Sequence, residues 1–189
     1  MTQNTCTREY DFSLVLDGVF EVTEELENAL FEAGCDDATL SVCYGRIFME
    51  FSRSSTSIAD AILSAIRDVQ KANIGATVLQ VDECNLVTQA EIARRINRSR
   101  QLINQYITGH RGPGGFPPPV CQLSEKTPLW QWCAVSFWLC QNDMIKPEDL
   151  ADSQVVAAIN NMLELCREKK RNPTLIRQIS NTVNCGCCD

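Results

Sequence analysis

Apolar and polar residues alternate from Tyr10 to Leu16, Y-D-F-S-L-V-L, which predicts a strand. Asp17-Gly18 then marks a turn, and Thr23 is placed to cap a helix running to about Ala33. Leu26, Ala29, Leu30 and Ala33 form its apolar face. Glu24, Glu25 and Glu27 suit its positive N-terminal end, and Gly34 stops it. Two strands follow, Ala38 to Cys43 and Ile47 to Phe51, with Tyr44-Gly45-Arg46 as the turn between them. Ser57 or Thr56 caps a second helix through Lys71, striped by Ile58, Ala61, Ile62, Ala65, Ile66 and Val69. Gly75 precedes a last strand, Ala76 to Val81.

This order, β-α-β-β-α-β, predicts an α+β fold that opens with a ferredoxin-like domain over residues 1–84. Both helices would cover one face of an antiparallel sheet. The other face is left to water, a ligand or a second copy. The domain holds no phosphate loop or charged clamp, so a structural or dimerising role comes first and a ligand sensor second. The acidic pair Asp36-Asp37 reads as a solvated turn.

Asp82 to Asn85 links to a stretch with a different period, Val87 to Ile107. Ile92, Ala93 and Ile96 fall on one helical face, and Leu102, Ile103, Tyr106 and Ile107 on another. Ala93 is small where two helices cross closely. Asn97 sits at the bend, where a positive φ is wanted, and Ser99 offers a hydroxyl to the next helix. Two short helices around a tight turn make a helix-turn-helix. Ser99, Arg100, Gln101, Asn104 and Gln105 occupy the outer face and first turns of the second helix. Arginine pairs bidentately with guanine, and Gln or Asn with adenine, in the major groove of double-stranded DNA. Arg94, Arg95 and Arg98 are placed to meet phosphates.

The net charge of −7 conceals an asymmetry. Residues 1–85 carry 5 Lys and Arg against 15 Asp and Glu, whereas residues 86–141 carry 6 against 2. The basic segment coincides with the helix-turn-helix. Eleven cysteines make an odd set, and the polar start M-T-Q-N-T-C-T-R-E-Y-D is no signal peptide. Reduced thiols, no membrane span and a cytoplasmic location are therefore expected. Cys35, Cys43, Cys84, Cys133 and Cys140 lie in or beside apolar stretches and read as small buried hydrophobes.

Gly109 ends the second helix of the pair, and a turn-rich loop, H-R-G-P-G-G-F-P-P-P-V, follows. Phe116 to Val120 and Leu129 to Trp132 read as two arms of a hairpin. Trp130, Trp132, Phe137 and Trp138 supply an aromatic core, with Cys133 to Cys140 helical. The succession G-P-G-G-F-P-P-P-V, P-L-W-Q-W and A-V-S-F-W-L resembles the wing and following helix of MerR-like and phage-excisionase-like winged helix-turn-helix domains. It is most similar to bacterial transcriptional regulators that also place a small acidic α/β domain ahead of the helix-turn-helix. The resemblance covers Val87 to about Cys140, and Tyr10 to Val81 more loosely. It implies that Arg100, Gln101, Asn104 and Gln105 touch DNA, and that Arg111 meets backbone or minor groove.

Residues 85–141 are thus expected to be the DNA-binding domain and residues 142–189 a helical extension. Pro147-Glu148-Asp149 starts one helix, apolar at Val155, Val156, Ile159, Met162, Leu163 and Cys166, and Thr174 to Val183 forms another. The tail C-G-C-C-D reads as reduced thiols, with a soft-metal or oxidation-sensing role as the weaker alternative. With one histidine, His110, in a Gly/Pro-rich loop, no catalytic dyad, cofactor motif or metal set emerges. The leading reading is a non-enzymatic, homodimeric, sequence-specific DNA-binding regulator. The alternative is a protein-interaction or RNA-associated adaptor that binds through the ferredoxin-like sheet.

Overall fold

A computed structural model describes residues 7–81, 85–122 and 127–183. Tyr10, Phe12, Leu14 and Leu16 lie on one face of β1 (Arg8–Asp17) and are all buried, as alternation in a half-covered strand requires. With β2 (Ala38–Cys43), β3 (Arg46–Ser55) and β4 (Thr77–Val81), β1 forms an antiparallel sheet of order β2-β3-β1-β4. Leu14 stands opposite Met49 on one side and Val81 on the other, and all three are fully buried. Tyr44 (φ 50°) and Gly45 (φ 73°) make the β2–β3 turn by themselves, so Arg46 already belongs to β3.

Helices α1 (Glu24–Ala33) and α2 (Ile58–Lys71) pack on that apolar face. The Thr23 hydroxyl accepts the Leu26 N–H at 3.2 Å, and Ser57 accepts that of Asp60 at 3.1 Å. All six predicted stripe residues of α2 are buried.

Arg53 continues the core-facing row of Ile47, Met49 and Phe51, so its guanidinium is buried. Its five N–H donors are all used. Nε and one terminal nitrogen grip both oxygens of Asp37 at 2.7 and 2.8 Å. The rest reach Asp68 at 2.7 Å, the Ser64 hydroxyl at 3.0 Å and the Gly34 carbonyl at 2.8 Å. The hydrogen bonds to Asp37 and Asp68 raise the Arg53 pKa above its already high usual value, against the cost of burial. Asp37 is therefore half-buried in an ion pair, which corrects the expectation of a solvated turn. Asp36 remains exposed.

A second core gathers Val87, Ile92, Ala93, Ile103, Trp130, Val135, Trp138 and Leu139. It is built from β5 (Leu86–Val87), α3 (Gln89–Arg95), α4 (Arg100–Ile107), β6 (Trp130–Gln131) and α5 (Trp132–Gln141). Three expectations change here. The hairpin reduces to one bridge, Cys121 to Leu129, while Trp130-Gln131 pairs with Val87-Leu86 instead. Pro117, Pro118 and Pro119 have no N–H to donate, so that arm cannot form a ladder. Phe137 points outward at 49% exposure, leaving Trp130 and Trp138 as the buried aromatics. Of the cysteines read as hydrophobes, Cys35 is buried and its thiol pKa is pushed up to about 11 by desolvation, Cys133 and Cys140 are half-buried, and Cys43 is exposed.

One helix, α6 (Pro147–Arg171), touches both cores. Val155, Val156, Ile159 and Leu163 pack against the first, and α5 of the second lies alongside it. The Asn160 carbonyl oxygen accepts the Val81 N–H at 2.7 Å, and its amide donates to the Val81 carbonyl at 2.9 Å. Arg167 donates to the Leu79 carbonyl at 3.0 Å. These side chains take the backbone groups that an edge strand would otherwise present to another chain. Met162 and Cys166, expected in the apolar stripe, are exposed. The final helix, α7 (Pro173–Thr182), leaves Leu175 and Ile179 exposed.

Among the described residues no helix is long and apolar enough to cross a membrane. Nor do any three His, Cys, Asp or Glu among them form a group placed to hold a metal ion. Cys84, most of the Asp82–Asn85 link and the tail from Asn184 lie outside the described residues.

Candidate nucleic-acid interface

The turn between α3 and α4 follows from a few residues. Thr88 caps α3, its hydroxyl accepting the Glu91 N–H at 3.2 Å. At the other end Asn97 takes φ 50°. The Arg98 N–H reaches back to the Ala93 carbonyl at 2.8 Å, and the Asn97 N–H to that of Arg94 at 3.1 Å. That pair of bonds is a Schellman motif, with asparagine where glycine is more usual. Ser99 then caps α4, accepting the Leu102 N–H at 3.2 Å. The Gln89 amide donates to the Arg100 carbonyl at 2.8 Å and ties the two helices together.

Ile103 is fully buried and anchors the inner face of α4. Arg100, Gln101 and Asn104, at helical positions i, i+1 and i+4, share a neighbouring face and are exposed. Ser99 and Arg98 are exposed just before them, and Gln105 is half-buried at the edge. Arg111 is exposed beyond Gly109, and its backbone N–H donates to the Gln105 carbonyl at 3.2 Å. The loop is therefore fastened to the end of α4.

Arg94 and Arg95 are placed differently. Both pair with Glu91: Arg94 through two bonds of 2.8 and 2.6 Å, Arg95 through one of 2.8 Å. The Arg95 side chain is only 20% exposed, and its guanidinium packs over the Trp132 ring at 4.9 Å. Arg94 keeps 65% of its side-chain surface open. The structure thus leaves Arg98, Ser99, Arg100, Gln101 and Asn104 exposed around the start of α4, and sets Arg95 against Trp132 of α5.

Trp130 and Trp138, expected in the aromatic core, brace this surface through bonds that the sequence did not specify. The indole N–H of Trp138 donates to the Gly114 carbonyl at 2.8 Å, and that of Trp130 to the Pro117 carbonyl at 3.1 Å. Phe116 meets the Trp138 ring edge-on at 4.9 Å, and Tyr106 from α4 lies 5.4 Å from it. Gly112 fits only without a side chain: its φ is 87°, and a Cβ would stand 2.8 Å from the Tyr106 ring. A signal for the brace exists in the sequence, since a buried Trp seeks an acceptor and a proline run offers carbonyls without competing donors. Glu91 was also legible, lying three and four residues before Arg94 and Arg95.

No family model matches this chain, and neither a curated protein nor a solved structure is significantly similar to it.

Proposed function

We propose that this protein is a cytoplasmic, sequence-specific DNA-binding regulator. In this reading residues 85–141 form a winged helix-turn-helix and the first domain has a ferredoxin-like fold. The observation that carries it is the exposed polar face of α4, presented by a capped, buried-anchored helix pair. Arg100, Gln101 and Asn104 have the side chains that read base edges; Arg100 and Gln101 open the helix, where major-groove contacts concentrate, and Asn104 follows one turn on. Ser99 and Gln105 flank them. Arg98 and Arg111 meet phosphates on either side, with Arg94 at the margin. Arg95 serves as a positioning residue that holds α3 against Trp132. A homodimer belongs to the reading, because one recognition helix spans only half of a two-fold site.

The alternative, RNA binding through the sheet, is disfavoured by the charge of its open face. Asp11 and Glu50 are exposed there, on strands whose other alternate residues face the core.

Salt titration on a mixed-sequence duplex tests the proposal. Two phosphate contacts, by Arg98 and Arg111, predict that log affinity falls against log salt with a slope of about −2 per recognition unit. Affinity indifferent to salt, or tighter binding to single-stranded RNA than to the duplex, would count against it.

A further inference from the structure

A cleft of about 800 Å3 opens between the two cores. Small-molecule sites run to roughly 1,000 Å3 and favour domain junctions. Its apolar lining comes from both cores and from α6: Ile58, Ile96, Ile145 and Val156, with Tyr10 and Trp132 as aromatic walls. The charged groups around that lining fall into two sets, one richer in guanidiniums and one richer in carboxylates. From α3 come Arg94 and Arg95, with Glu91 as the carboxylate between them. From β1 and α6 come Glu9, Asp11, Asp149 and Asp152, facing the single guanidinium of Arg8. Arg8 pairs with Asp152 at 3.1 Å and lies 4.3 Å over the Tyr10 ring. Burial raises the Asp152 carboxyl pKa, and Arg8 opposes that rise.

We propose that this cleft binds a zwitterion of the short-peptide class, its ammonium toward Glu9 and Asp149, its carboxylate toward Arg94 and Arg95, and its apolar body on the floor between. A simple anion would meet the four carboxylates of β1 and α6, and a simple cation the guanidiniums of Arg94 and Arg95 as well as that of Arg8. A dipolar molecule satisfies both sides. Arg95 stacks on Trp132 and is held by Glu91, so its fork is already ordered before a ligand arrives. The site uses no residue of α4 and stands whether or not the protein binds DNA.

Calorimetric titration of the full chain, without DNA, separates the possibilities with three probes. These are L-leucyl-L-leucine, its cationic amide and its anionic N-acetyl derivative. The free dipeptide should bind about tenfold or more tightly than either, one lost charge pair being worth roughly that factor. Glu9→Lys, at an exposed strand position, should weaken the dipeptide by about the same factor while leaving the thermal melt in place. No heat with any probe, equal affinity for all three, or a Glu9→Lys protein that binds the dipeptide like the parent would each overturn the proposal.

Discussion

Replacing Trp138 with alanine is expected to destabilise the second core by about 3–5 kcal/mol, the usual range for emptying a buried aromatic site. Trp138 is 6% exposed and holds three parts of the structure at once. Tyr106 ties it to α4, Phe116 to the proline loop, and its N–H to the Gly114 carbonyl. The cavity cannot close easily, because the loop carbonyl would also lose its donor. Trp138→Phe separates the contributions. It keeps most of the ring contact and gives up the hydrogen bond, so it should cost about 1 kcal/mol from that bond, plus a smaller packing loss. Urea unfolding followed by circular dichroism measures both. A Trp138→Ala midpoint equal to that of the parent contradicts the brace. If the brace orients the loop, Trp138→Ala also loosens Arg111 and weakens duplex binding in conditions where the protein stays folded.

Arg53→Ala is expected to cost a similar amount in the first core, about 3–5 kcal/mol for breaking a buried ion pair from one side. The cost arises from what remains. Asp37 and Asp68 keep their charges, lose the three hydrogen bonds that Arg53 gave them, and face the sheet–helix junction. Their side chains are 28% and 26% exposed, so water recovers part of the loss and the lower end of the range is expected. Adding Asp37→Asn to Arg53→Ala removes one of the stranded charges. The double variant should therefore lose less than the two single losses added, with a coupling of about 0.5–3 kcal/mol. Strict additivity in urea unfolding would place Arg53 outside any shared network.

The elements most legible beforehand were those specified by neighbours in sequence. The α2 stripe, the caps at Thr23, Ser57 and Ser99, and the left-handed Asn97 each depend on residues within four positions of one another. Long-range pairings were not legible. Asn160 and Arg167 meet β4 across 79 and 88 residues, and no local period announces that a helix will seal a strand edge. Arg53 sits in strand alternation at a core-facing position, yet its partners come from two other elements. The two hairpin arms were misread for a different reason: hydrophobic content suggested strands where three prolines remove the donors that a strand needs. At the candidate site, the polar face of α4 was readable from spacing alone. The diversion of Arg95 toward Trp132 depended on how α5 packs.

Base-edge reading by α4, as proposed, is tested by selecting bound duplexes from a random pool with the parent and Arg100→Ala in parallel. The parent should enrich a short motif with a guanine at one position. Arg100→Ala should lose that guanine alone, at a cost of about 1–3 kcal/mol on the selected site, while keeping the rest of the motif. A parent that enriches no motif, or two proteins that enrich the same one with equal affinity, would contradict the account.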